Sequence, residues 1–124
     1  MNTFTLVTAT IFGSTAIVLG AFGAHAFKKI LSAERLASFE VGVRYQMYSA
    51  ITLLVIGFQL DFTNYSERLA AYGIISGTIL FSISIYFLSF SEYLNKNFKF
   101  LGPITPLGGL LMIIGWVSLL ISFI

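Results

Sequence analysis

The charged residues of this chain are confined to three short segments, and the uncharged runs between them decide what it can fold into. All twelve Asp, Glu, Lys and Arg residues fall within positions 28–44, 61–68 and 92–99. They leave four uncharged runs, and three of these are longer than 20 residues. A helix needs about 20 apolar residues to cross the roughly 30 Å of membrane hydrocarbon. The pattern therefore predicts an all-α, polytopic membrane protein, built as a bundle of four transmembrane helices.

The second uncharged run, 45–60, is shorter than the others and needs a lead-in from the preceding polar segment. Ser32 is a good N-cap, so the second helix is expected to begin there with an amphipathic stretch in the membrane interface. Arg44 then lies near the hydrocarbon edge, with its guanidinium reaching the headgroups. Glu40 and Arg44 are four residues apart in the favourable order, which predicts an ion pair.

We predict one domain, 1–124, because four spans use most of the chain. Thr105 is predicted to cap the fourth helix with Pro106 at its first position, where the missing N–H costs nothing. The first segment resembles a signal peptide, but Met1–Phe4 carries no Lys or Arg and the apolar stretch is too long, so we expect a retained helix. The predicted helices cover about residues 4–27, 33–59, 69–90 and 106–123.

Composition excludes several classes of function. Only 10% of residues are charged and the mean hydropathy is +0.92, whereas soluble domains have about 25% charged residues. The chain has no Cys and a single His, which argues against a disulfide framework, a metal site or a haem. A net charge of +2 without a basic stripe argues against nucleic-acid binding. We expect no cofactor and no metal, with the lipid bilayer as the main partner.

Small residues recur at helix-contact spacing in three of the predicted helices. Lipid tails are as apolar as leucine, so membrane helices associate through close van der Waals contact, which small residues permit. These faces are expected to meet in the interior of the bundle. The glycines predicted to pack there are Gly13, Gly20 and Gly23 in the first helix, Gly73 and Gly77 in the third, and Gly108 and Gly115 in the fourth.

Polar side chains gather near one predicted end of the bundle and form a candidate binding site. Such a set suits an anionic headgroup, a small anion or proton transfer through the imidazole. The alternative is that the His and Gln satisfy backbone groups at helix ends while the tyrosines form an interfacial belt. No carboxylate lies within a span to orient a catalytic group, so an enzyme is not expected. The members of the set are His25, Arg44, Tyr45, Gln46, Tyr48 and Thr105.

Four motifs carry a resemblance to a known family: Leu19–Ala26, Tyr45–Tyr48, Leu80–Tyr86 and Ile104–Gly109. Their order and spacing resemble the uncharacterised family of small bacterial membrane proteins called domain of unknown function four-two-three (DUF423). The resemblance covers essentially the whole chain and implies a multi-pass membrane fold with no assigned activity.

Orientation follows from the Lys and Arg residues of the short loops. The loops 28–44 and 92–99 contain six of the seven, and the opposite side contains only Arg68. We expect both loops in the cytoplasm and both termini outside the bacterial inner membrane.

Two functional hypotheses fit the sequence. The first is a structural or accessory membrane subunit that forms a homo-oligomer or joins a larger complex. The second is a small permease, or a lipid- or anion-binding protein, that uses the polar cluster at the cytoplasmic face.

Overall fold

Four long helices make up the structure, a computed structural model that describes all 124 residues. All four are long and apolar enough to cross a membrane, and the predicted four-helix transmembrane fold is confirmed. Short 3₁₀ turns at Phe27–Lys29 and Lys99–Leu101 precede the second and fourth helices. The helices are α1 (Asn2–His25), α2 (Ala33–Gln59), α3 (Tyr65–Ser89) and α4 (Ile104–Ser122).

Side-chain caps fix the starts of α2 and α3. The Ser32 hydroxyl accepts the backbone N–H of Arg35 at 3.2 Å, which confirms the predicted start of α2. Asn64 caps α3 in the same way by accepting the N–H of Glu67 at 2.9 Å. The Glu67 carboxylate in turn accepts the N–H of Thr63. Together these bonds start α3 at Tyr65, four residues before the predicted position.

The predicted cap of α4 is wrong. α4 begins at Ile104, Pro103 occupies the N-cap position, and no side chain caps this end. The Thr105 hydroxyl lies 2.6 Å from the Ser84 hydroxyl of α3 instead. The Ser84 hydroxyl also donates to the carbonyl oxygen of Phe81 at 2.9 Å, so Ser84 links Thr105 to the backbone of α3. Thr105 therefore bonds to a neighbouring helix and does not cap its own.

The predicted ion pair between Glu40 and Arg44 is also absent. Both residues are exposed, where such a pair contributes little. The ion pair that forms joins Arg35 to Glu92, with Nη2 3.1 Å from Oε1. It links the start of α2 to the segment after α3.

α3 and α4 form a hairpin in which the two backbones touch. A Cβ placed on Gly73 would lie 2.8 Å from Cα of Gly115, and one on Gly77 would lie 2.7 Å from the carbonyl oxygen of Gly108. Real Cβ atoms do not approach other atoms so closely, so only glycine fits at these four positions. The packing role predicted for these glycines therefore has a direct geometric basis here.

α1 and α2 form the other hairpin, and its glycines have looser surroundings. A Cβ on Gly13 would lie 3.7 Å from Cβ of Ala50, and one on Gly20 would lie 3.5 Å from Val43. Gly23 faces the Phe39 ring at 3.2 Å. The glycines of α1 thus meet side chains of α2, and not the glycines of α3 and α4 as expected, because α1 packs mainly on α2.

Gly108→Ala and Gly109→Ala are a matched pair of tests on α4. A Cβ on Gly108 would collide with the backbone of α3 at Phe81, whereas one on Gly109 would have no neighbour closer than 3.8 Å. Because the α3 backbone can yield only by moving away, we expect Gly108→Ala to lower the free energy of unfolding by about 2 kcal/mol. Gly109→Ala should change it by less than about 0.5 kcal/mol. Unfolding by SDS in mixed micelles measures both, and equal effects would contradict the packing described.

Candidate functional site

The six residues of the candidate polar cluster do not form one site. His25, Arg44, Tyr45 and Tyr48 are exposed, and their side chains make no hydrogen bond or ion pair. The rings of Tyr45 and Tyr48 contact each other with centroids 5.7 Å apart. The Tyr45 ring also packs on Phe81 of α3, with centroids 5.0 Å apart. Gln46 and Thr105 form hydrogen bonds across helix interfaces, but at different ones. The arrangement offers no pocket in which the six side chains could hold one ligand.

Gln46 is the central polar residue of the structure. Its side chain is 7% exposed and bonds to groups on two other helices. The amide nitrogen donates to the carbonyl oxygen of Phe12 at 2.9 Å and to the hydroxyl of Thr15 at 2.6 Å, both on α1. The amide oxygen accepts the Tyr86 hydroxyl of α3 at 2.6 Å. One side chain thereby ties three helices together.

Two further hydrogen bonds join α2 to α3 on either side of Gln46. The Ser82 hydroxyl donates to the carbonyl oxygen of Gly42 at 2.8 Å. The Thr78 and Ser49 hydroxyls lie 2.7 Å apart, and both contact the sulfur of Met112 on α4. We call this row of bonds, formed by Gly42, Gln46 and Ser49 with their partners on α3, the polar seam.

Sequence reasoning named Gln46 but missed its partner Tyr86 on α3 and the neighbouring bond from Ser82 to Gly42. The signal was present in the spacing: Ser82 and Tyr86 are four apart on α3, as Gly42 and Gln46 are on α2. Residues four apart share a helix face, so two such pairs can match when the helices pack. Which helix would supply the matching face depends on tertiary packing, and the sequence does not specify it.

The polar seam is suited to fixing helices and not to chemistry. Its groups are hydroxyls, an amide and backbone carbonyls, none of which ionises near neutral pH, and the Tyr86 hydroxyl acts as a hydrogen-bond donor. The seam contains no histidine or carboxylate to act as a base. No group of three or more His, Asp and Glu side chains is placed to hold a metal ion.

Two apolar crevices flank the polar seam. One, of about 300 Å³, lies between α1 and α3 and has Gln46 and Tyr86 in its wall. The other, of about 430 Å³, lies between α2 and α4, where Tyr45, Tyr48 and Trp116 line it. Both open on the outer surface of the helices, where lipid chains contact a membrane protein.

Comparison with known proteins assigns the chain to a family. Residues 19–109 match the family described as Protein of unknown function (DUF423). The chain belongs to this family. The matched region includes the polar seam residues of α2 and α3 and the glycine pair Gly77 and Gly108.

Several relatives of this DUF423 protein are named as membrane proteins. A UPF0382 membrane protein of Staphylococcus aureus is 40% identical over 107 residues, which cover 86% of this chain and 84% of the relative. The UPF0382 membrane protein YwdK of Bacillus subtilis is 37% identical over 109 residues, covering 86% and 85%. A UPF0382 membrane protein of Haemophilus influenzae is 36% identical over 107 residues, covering 86% and 82%. No solved structure matches this chain. The DUF423 protein is therefore a membrane protein, and the names of these bacterial relatives state no activity.

Gln46→Leu and Tyr86→Phe test the polar seam through a double-mutant cycle. Because each change removes one side of the same hydrogen bond, the free energies of unfolding should not add, and we expect a coupling of about 1 kcal/mol. Gln59→Leu combined with Tyr86→Phe is the control, since Gln59 is exposed at the end of α2 and should give no coupling. Additive losses for Gln46 and Tyr86 in micelles would show that the bond does not contribute to stability.

Proposed function

We propose that this DUF423 protein is a non-enzymatic structural or accessory subunit of the cell membrane, which associates with a second copy or a larger membrane complex through α1. The observation that carries the proposal is the uneven packing of α1. Its extensive interface is with α2, and the opposite side of the helix is left exposed. We call the exposed residues Thr3, Val7, Thr10, Ser14, Ile17 and Ala21 the outer face of α1.

The outer face of α1 differs from the other lipid-exposed surfaces. On α4 the exposed side chains are large and apolar, such as Leu110, Ile113 and Trp116. On α1 the exposed side chains also include large apolar ones, such as Ile11 and Ile17, but small and hydroxyl side chains are interspersed with them at Thr10, Ser14 and Ala21. Large apolar side chains are what lipid tails favour, whereas small ones let a second helix approach closely. The difference supports helix contact at α1 and lipid contact at α4.

The hydroxyls of this face are already satisfied within α1. Thr10 donates to the carbonyl oxygen of Val7 at 2.9 Å, and Ser14 donates to that of Thr10 at 2.8 Å. They therefore need no polar partner in the membrane, and a partner helix can pack on them through van der Waals contact alone. This arrangement suits association between membrane helices better than binding of a polar substrate.

A non-enzymatic role is supported by the positions of the ionisable groups. The five carboxylates lie in or beside the polar segments, outside the uncharged runs, and His25 is exposed at the end of α1. The permease or anion-binding alternative built on His25, Arg44 and Tyr48 has less support, because these three side chains share no contact.

We further propose that the loops 28–44 and 92–99 face the cytoplasm with both termini outside. The ends of the helices that carry these loops lie on one side of the bundle, and the loops hold six of the seven Lys and Arg residues.

Single cysteines test the proposed contact, because the natural chain has none to give a background signal. We expect Ser14→Cys to form a disulfide with a second copy, or one reproducible adduct with another membrane protein, when native membranes are oxidised. Ile113→Cys on the exposed side of α4 is the matched control and should remain monomeric. Mass spectrometry identifies the linked species. Monomers only for Ser14→Cys, or equal linking at both positions, would contradict the proposal.

A further inference from the structure

A polar cavity of about 470 Å³ lies where α3 leaves the membrane span. Arg35 at the start of α2 forms one wall, and the α3–α4 loop (residues 90–103) forms the others through Glu92, Asn97 and two lysines, Lys96 and Lys99. Three of the seven basic residues in the chain therefore surround one cavity. None of them belongs to the polar cluster that the sequence singled out.

The charges around this cavity leave a positive excess. Arg35 is held by two bonds, with Nη1 3.2 Å from the carbonyl oxygen of Leu88 and Nη2 3.1 Å from the Glu92 carboxylate. The pair of Arg35 and Glu92 is neutral overall, and Glu92 supplies the only carboxylate that lines the cavity. The Lys96 and Lys99 side chains are exposed and make no hydrogen bond or ion pair, so two positive charges remain uncompensated.

Hydrogen-bond donors accompany the two ammonium groups. The side-chain oxygen Oδ1 of Asn97 accepts the backbone N–H of Lys99 at 3.0 Å, which holds the Asn97 side chain beside the lysine. The side-chain NH₂ group of Asn97 makes no hydrogen bond and is available to a ligand as a donor. Ammonium and amide donors around one cavity match the acceptor oxygens of a phosphate group.

A second cavity of about 370 Å³ continues from the first toward the membrane span, and it contains no lysine. The two share Arg35 and Leu88 in their walls. Ile85, one turn deeper along α3, and Pro106 of α4 supply apolar surface to the second cavity. The lysines lie at the outer cavity, Ile85 and Pro106 lie at the inner one, and Arg35 lies between them. This order suits a phospholipid whose phosphate group lies outside and whose acyl chains begin inside.

We propose that the cavity of Arg35, Lys96 and Lys99 binds the phosphate group of an anionic phospholipid. Basic residues at the membrane surface attract anionic headgroups, and this cavity lies at the level where those headgroups are found. The tendency of Lys and Arg to lie on the cytoplasmic side of membrane proteins would explain why lysines occur at this end of the bundle. It would not explain why they surround a cavity. Free phosphate is the other source of the same chemistry, and the experiment separates the two.

The test compares two double variants that remove the same charge at the same end of the molecule. Lys96→Gln/Lys99→Gln empties the cavity of its uncompensated charge, and Lys28→Gln/Lys29→Gln removes two exposed lysines from outside it. Phosphatidylglycerol and phosphatidylcholine are each titrated into the full-length protein in detergent and measured by native mass spectrometry. Inorganic phosphate is titrated alone by calorimetry. Thermal unfolding of each variant confirms that the fold is kept, which is expected because these four lysine side chains are exposed and make no hydrogen bond or ion pair.

We expect the protein to bind phosphatidylglycerol more tightly than phosphatidylcholine. Lys96→Gln/Lys99→Gln should weaken phosphatidylglycerol binding about tenfold, the loss that accompanies one charge-assisted hydrogen bond, while the control pair changes it less than about twofold. Binding of inorganic phosphate with the same dependence on Lys96 and Lys99 would support the site with a soluble anion as its ligand. Equal weakening by both double variants, or no preference for phosphatidylglycerol together with no phosphate binding, would overturn the proposal.

Discussion

The backbones of α3 and α4 touch at two places, where Gly73 meets Gly115 and Gly77 meets Gly108. In lipid there is no hydrophobic force between helices, so stability comes from dense van der Waals contact and from hydrogen bonds between helices. The glycines supply the first of these, because they bring long stretches of main chain into contact. This hairpin presents the opposite face of α3, with Thr78, Ser82 and Tyr86, to the other half of the protein.

The α1–α2 hairpin docks on that face through the polar seam. Gly42 matters here as much as Gln46, because a Cβ on Gly42 would lie 2.8 Å from the Tyr86 ring and would hold the two hairpins apart. Unpaired hydroxyl and amide groups are costly in an apolar medium, so matched pairs favour one alignment of α2 on α3 over its neighbours. The seam thus fixes how the hairpins meet. The polar groups of the interior are thereby bonded to one another and are not free to bind a ligand. The surfaces that remain available are the outer face of α1 and the cavity beside Arg35.

The sequence predicts the helices of this protein better than their contacts. Uncharged runs and N-caps such as Ser32 are local signals in the sequence. Because a helix must be about 20 residues long to cross the membrane, the length of each run predicts a span. The four glycines of α3 and α4 were predictable because small residues at contact spacing favour close packing of helices in lipid. The partner of Thr105 was not predictable, since a hydroxyl on another helix replaced the local capping role that the spacing suggested. The ion pair of Arg35 with Glu92 joins residues far apart in the chain, and local spacing gives no signal for it. Gln46 could be recognised as a polar residue in a span, but its bonds to Thr15 and Tyr86 depend on how three helices pack.

Forced unfolding of single molecules in a bilayer tests the two-hairpin arrangement most directly. Magnetic tweezers pull on the two termini, and the lengths of the steps show which helices leave together. The arrangement predicts that α1 and α2 separate from α3 first, because hydrogen bonds and side chains hold that boundary, and that the α3–α4 hairpin, joined backbone to backbone, unfolds last and at the highest force. Extraction of α4 before α1 and α2, or loss of all four helices in one step, would contradict it.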